Sequence, residues 1–215
     1  MSIANGRIGT NSLLVVLKAA GFVACLSIAS SAQSQSDPSK LWYRGRVVFD
    51  RGDTVQGLIK YNLKEDVVRV DEELNLFAAD KVLYFELFDK KTAQLRLFYS
   101  LPYRDGEEKK LGFFELLAEG KMTLLCRESF ELRNFHVPIT QDNTTRLTGR
   151  RVLIHTFFTL KSNGDVERVY GKDDLIKLMD EDSELMEKYI RSSRLDVQKK
   201  NDFTQVVTYY NSLYK

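Results

Sequence analysis

Cys126, His136 and His155 are the residues of this chain whose types could support covalent catalysis, because a thiolate beside an imidazole base is an activated nucleophile. No local signature surrounds any of them, and the chain has neither a Gly-x-Ser-x-Gly elbow nor a glycine loop of the kind that cradles phosphate. Metal chemistry has less to work with. His136 and His155 are the only histidines, and neither has a second His or Cys at ligand spacing. His155 lies in a strand-like run and reads as a partly buried, hydrogen-bonded residue. The run Asp180-Glu181-Asp182-Ser183-Glu184 superficially fits a calcium loop. Leu185 stands where such a loop needs glycine, however, and Arg191 where it needs a bidentate glutamate, so the run reads as a solvated helix junction. No catalytic, cofactor-binding or metal-binding residue is assigned, and no cofactor is expected.

Short surface motifs are also present. Arg51-Gly52-Asp53 spells the integrin-binding tripeptide, but glycine is what a hairpin turn requires at such a place. Asp53-Thr54-Val55 matches the acceptor for periplasmic O-glycosylation in Bacteroidota, which would modify Thr54, and Asn143-Thr144-Thr145 is an N-glycosylation sequon.

The elements that must position these residues follow from patterning. With 43% apolar and 29% charged residues over 215 positions, the chain has the composition of a folded protein of one domain or two small ones. Arg7 and Lys18 are its only charges before residue 33; without them acidic and basic residues balance, so the body is formally neutral. Neutrality removes the general attraction that dominates nucleic-acid binding, and no nucleic acid is expected as a partner.

The start of the chain reads as an export signal: Arg7 in the leading segment, an apolar run from Leu13 to Ile28, and small residues Ser30-Ser31-Ala32 before a polar stretch. Cleavage is expected between Ala32 and Gln33. Lys18 breaks the apolar run early, which disfavours a membrane-spanning helix. Phe22-Val23-Ala24-Cys25 loosely resembles a lipobox, with Cys25 as the acylated residue, but Phe22 replaces the usual leucine and the apolar run continues past Cys25. Cleavage at Ala32 would leave Cys126 as a lone, buried thiol in a strand.

Beyond a flexible lead-in at 33–40, the chain alternates as strands. Tyr43 to Phe49 and Val55 to Tyr61 form a hairpin about Asp50 to Asp53. Val67 to Val70 follows, then Val82 to Phe88, apolar on both faces and therefore central or sandwiched. Leu95 to Tyr99 is expected to end by Pro102, with a charged loop from Arg104 to Lys110. Phe113 to Leu117 and Met122 to Leu125 form another hairpin, although the first half could instead be a helical turn. Asn134 to Arg150 reads as a long polar connection. Val152 to Leu160 and Val166 to Tyr170 form the last hairpin, its Asn163-Gly164 pair suiting a type I′ turn.

At Gly171 the period changes to that of helices. The first carries Leu175, Leu178 and Met179; the second, capped by Ser183, carries Leu185, Met186, Tyr189 and Ile190. The third, capped by Asp202, carries Phe203, Val206, Val207, Tyr210, Leu213 and Tyr214.

Gly45-Arg46-Val47-Val48, the run Asp53-Thr54-Val55-Gln56-Gly57-Leu58-Ile59, Phe114 to Gly120 and the ending Tyr209-Tyr210-Asn211 together resemble uncharacterised exported proteins common in Bacteroidota. That resemblance implies an envelope location and a sheet with C-terminal helices, and carries no catalytic residue across. The expected fold is α+β. It comprises a signal at 1–32, a mainly antiparallel sheet of sandwich or open-barrel form at 41–170, and about three helices packed on it at 171–215. The expected role is a non-catalytic binding or structural module of the cell envelope, in the periplasm, at the outer-membrane periphery or outside the cell. Its partner would be an envelope protein or glycan, with no stable transmembrane span after processing. The alternative is a hydrolase-like enzyme, which a deep pocket of convergent polar groups around Cys126 and a histidine would favour.

Overall fold

The computed structural model describes residues 40–71, 75–138 and 145–214, with backbone alone at 136–138 and 145–147. The Ala32/Gln33 cleavage site, Cys25, the lead-in before Lys40, the Asn143 sequon and the His136 side chain lie outside the described residues. The chain is α+β, as its periodicity indicates. Ten strands run as β1 (Tyr43–Phe49), β2 (Thr54–Asn62), β3 (Val67–Val70), β4 (Leu76–Ala78), β5 (Val82–Asp89), β6 (Gln94–Asp105), β7 (Glu108–Ala118), β8 (Thr123–Pro138), β9 (Thr145–Leu160) and β10 (Val166–Val169). Helices α1 (Lys172–Leu178), α2 (Ser183–Ser192) and α3 (Lys200–Ser212) follow.

The strands form one sheet in the order β10-β9-β8-β7-β6-β5-β1-β2-β3-β4, antiparallel at each step. The sheet curls until β10 also meets β6, in parallel, at Val166 and Tyr103.

Register places one row of buried residues across seven of these strands: Val47, Phe85, Phe98, Glu115, Cys126, Phe157 and Val169. Cross-strand partners share a face, so this row is the spine of the core. Two apolar bodies cover it. At one end the β2–β3 hairpin folds over, and Tyr61 sets its ring against those of Phe85, Phe98 and Phe113, 5.3–5.8 Å between centroids. At the other end the helices press Phe203, Val206, Val207 and Met186 onto Leu124, Cys126 and Phe157. The two covers form separate apolar clusters, and Glu115 interrupts the row between them.

Several sequence expectations need correction. Pro102 does not end β6, which runs on to Asp105. It lies past Tyr99, the last residue paired with β5, where a missing N–H costs no ladder bond to that neighbour. The charged segment from Arg104 to Lys110 is not a loop but a tight hairpin, with Asp105 paired to Glu108 about Gly106-Glu107. Asn134 to Arg150 is mostly strand, since β8 and β9 pair from Thr123↔Leu160 to Pro138↔Thr145. Asn134 and residues 148–150 are exposed although they lie in paired strands, so polarity here did not signal a loop. The Phe113 to Leu117 segment is strand, and the short β4 escaped notice. β5 is central but not sandwiched, because Phe88 and its partner Leu95 are exposed on the outer face.

The turn at Ser162 to Gly164 is not type I′. Asn163 does not have a positive φ; Gly164 does, at +85°, and its N–H donates to Lys161 O. Gly52 repeats the device at +90°, donating to Phe49 O, so both are three-residue hairpin loops closed by a left-handed glycine. Gly52 of the Arg-Gly-Asp tripeptide is thus accounted for by turn geometry.

The helical faces also differ in detail. Leu178, Leu185, Leu213 and Tyr214 are exposed, and Ile176 is buried instead. Ser183 begins α2 as its first residue and makes no side-chain cap. Asp202 sits inside the first turn of α3, where its carboxylate accepts the Asp196 N–H at 2.9 Å and faces the positive end of the helix dipole.

At its other end α3 is pinned by buried Asn211. The amide accepts from Met122 N and donates to Met122 O, both at 2.8 Å, so it acts as a strand partner for the β7–β8 hairpin. Asn211→Ala leaves both backbone groups unpaired in the core and is expected to lower stability by about 2–3 kcal/mol in urea unfolding. A loss under about 0.5 kcal/mol, well below the usual penalty for stranding buried polar groups, would refute the pinning role.

Candidate functional site

The break in the apolar spine is filled by charge. On the same face, Arg96 of β6 lies to one side of the Glu115 row, while Glu128 of β8 and its partner His155 of β9 lie to the other. Arg96 grips Glu115 with both prongs, Nε to Oε1 at 2.8 Å and a terminal nitrogen to Oε2 at 2.7 Å, and also reaches Glu128 Oε1 at 2.9 Å. Lys200, the first residue of α3, donates its ammonium to Glu115 Oε2 and, at 3.0 Å, to Glu128 Oε1. His155 Nε2 stands 3.5 Å from the same Glu128 oxygen. Two cations thus meet two carboxylates, and the cluster has no net charge with the imidazole neutral.

Burial alone would raise the Glu128 carboxyl. The hydrogen bond from His155 and the charges of Arg96 and Lys200 outweigh it and hold the group far below its ordinary 4.5. Glu128 therefore stays ionised with its side chain only 6% exposed. All three of these neighbours converge on Oε1. Oε2 is the buried side-chain oxygen that, among the described residues, no hydrogen bond reaches. A carboxylate oxygen left so in a low-dielectric setting has unspent acceptor capacity.

A groove of about 1010 Å³ opens above this cluster. Arg96, Glu115, Glu128 and His155 are on its sheet side, and Asn201, Thr204, Gln205 and Thr208 of α3 form one wall. Asp89, Thr92 and Gln94 at the β5–β6 turn, with Leu41 and Tyr43, contribute to the other. The rings of Tyr189 and Tyr209 stack 3.9 Å apart at one end. The groove thus opens between α3 on one side and the β5–β6 turn with the start of β1 on the other.

A second polar node lies where β7 and β8 part beyond Glu115↔Cys126. Asp66, in the β2–β3 turn, fills the fork: it accepts from Phe113 N at 3.3 Å, from Arg127 at 2.9 Å and from the Tyr61 hydroxyl at 2.6 Å. Each carboxylate oxygen is used, so this node is structural.

The residues singled out for covalent chemistry do not assemble as a nucleophile and base. Cys126 is buried in the helix-side core, and burial raises its thiol far above the ordinary value. Lys200 offsets that only in part, and Glu115 and Glu128 add to it. Its side chain does not line the groove, whereas His155 does. His155 is partly buried and committed to Glu128. Glu115, Glu128 and His155 gather around Arg96 and Lys200, and among the described residues no three His, Cys, Asp or Glu side chains form a set that could hold a metal ion. Thr54 is exposed at the start of β2, and Asp180 to Asp182 form a short 3-10 turn between α1 and α2. Among the described residues no helix is long and apolar enough to cross a membrane.

Sequence reasoning missed Arg96, Glu115, Glu128 and Lys200. Their signal was parity: Glu115 follows Phe113 by two, and Glu128 follows Leu124 and Cys126 at the same step, so charged residues occupy inward positions of apolar strands. Comparison with protein-family models, with curated proteins and with solved structures gave no match to this chain.

Because the Glu128 carboxyl is depressed, the stability it contributes is complete above about pH 4.5 and is lost as pH falls below that, toward its folded value. Urea unfolding across pH 2–7 should show a steep acid limb, flatter in Glu128→Gln, which is also less stable at neutral pH by about 3 kcal/mol. Parallel acid limbs in the two proteins would refute the assignment.

Proposed function

We propose that this chain is an exported component of the cell envelope, acting as a non-catalytic binding module that holds a small polar ligand, or a polar segment of an envelope partner, in the groove beside α3. The groove carries the reading. Its volume of about 1010 Å³ is in the range that encloses small ligands, and its floor is a preformed lattice of ion pairs. Ion pairs spent on one another fix a surface in place and offer no activated nucleophile. The thiol that could have served is buried in apolar surroundings.

Export is supported by the Arg7 segment, the Leu13 to Ile28 run and the Ser30-Ser31-Ala32 ending. The resemblance to exported Bacteroidota proteins points the same way. Formal neutrality of the body supports an envelope protein or glycan, rather than a nucleic acid, as the partner.

Crosslinking with mass spectrometry in the native cell tests location and company together. The expected result is a first residue at Gln33 and crosslinks to envelope components. Recovery in the cytoplasm with Met1 intact would overturn the export part of the proposal.

A further inference from the structure

β8 pairs with β7 only as far as Cys126; from Arg127 to Pro138 its outer edge has no strand partner among the described residues. Phe130 and Leu153 of the β8–β9 ribbon pack on the hairpin-side core, but Glu131 to Phe135 are exposed without a break, Leu132 at 71%. A two-stranded ribbon is marginally stable in water, and an open edge is a template for a further strand. We propose that the occupant of this edge is a second copy of the chain, its β8 running antiparallel to the first across a two-fold axis at Leu132.

The first ground is charge. That axis sets Glu131 opposite Arg133 of the second copy, and Arg133 opposite its Glu131. The two residues share a face of the strand, so four charges alternate around the axis. Within one chain they barely meet, at 3.4 Å with each side chain about half exposed. In the β8–β9 ladder Arg133 also stands opposite Arg150, a like-charge pair that costs stability. A carboxylate of the second copy beside Arg133 offsets that cost.

The second ground is the length of the open edge. Residues equally far from Leu132 on either side meet, so Pro138 falls opposite Cys126. Cys126 is where pairing with β7 begins, and Pro138 has no N–H to give. The added strand therefore fills the edge and stops where β7 takes over. The third ground is Leu132 itself, the most exposed leucine among the described residues, which meets its own counterpart and leaves water.

The other edge of the ribbon fails the same comparison. β9 is unpaired on its outer side from Thr145 to Thr156, with β10 taking over at Phe157. A two-fold at the middle of that stretch sets Arg150 against Arg151, and no acidic residue lies in it. β9 is thus an edge guarded by its charge, whereas β8 is complementary to itself.

Sedimentation of the full chain over a concentration series tests this, with a monomer–dimer equilibrium as the expected result. Glu131→Arg sets arginine against arginine at both crossings, and Arg133→Glu sets glutamate against glutamate. Each should weaken dimerisation by at least about tenfold. Both positions are exposed, so neither substitution touches the core. Mixing the two variants should restore a dimer containing one of each, because every crossing is then again a pair of opposite charges. A chain that stays monomeric up to about 100 μM would overturn the proposal and leave the edge to a different protein. A dimer unchanged by either substitution, or variants that stay apart on mixing, would overturn it as well.

Discussion

Glu115 at the middle of the buried row is the constraint on which the rest of the structure depends. An ionised carboxylate taken out of water costs several kcal/mol unless it is fully paired. Its position on β7 is fixed by register with Phe98 and Cys126, so the partners must come to it. Arg96 arrives along the sheet and Lys200 from the start of α3, which sets where α3 begins and at what height it crosses β7 and β8. Asn211 fixes the far end of the same helix. Between these two polar clamps the apolar face of α3 has one way to seat on the sheet.

The same charges divide one face of the sheet into two cores. Buried ion pairs are seldom the most stabilising choice, and replacing them with well-packed apolar residues is often neutral or favourable by 1–4 kcal/mol. Stability alone therefore gives no reason for four charges here. What the four charges do in the fold is floor the groove beside α3 with polar side chains.

Much of the fold was legible in the chain. Period-two alternation marks β1 and β2, short or two-sided apolar runs mark β3, β5, the later part of β9 and β10, glycines mark the tight turns, and the change of period at Gly171 marks the helices. What escaped has physical causes. Pro102 signals a strand end only where its N–H would be needed by a neighbouring strand, and sequence does not show which strand edges are open. The β8–β9 arm mixes polar residues with exposed apolar ones such as Leu132 and Phe135, so it lacks the alternation by which a half-buried strand is recognised. Asp202 has the chemistry of a cap, but its carboxylate is taken by Asp196 N–H, and the helix starts earlier. The groove was hidden for a further reason. Its floor joins residues from four strands and one helix, and Lys200 lies 85 positions from Glu115. Inward parity marks Glu115 and Glu128 as unusual, yet only the register of β6 to β9 shows that they face each other.

The most direct test of this account is the coupling free energy between Glu115 and Lys200, measured from urea unfolding of Glu115→Gln, Lys200→Met and the double variant. A clamp that seats α3 on the sheet is expected to give a coupling of about 2 kcal/mol or more, with the double variant much less damaged than the sum of the singles. Additivity within about 0.5 kcal/mol would show that the two residues do not depend on each other, and would contradict the account.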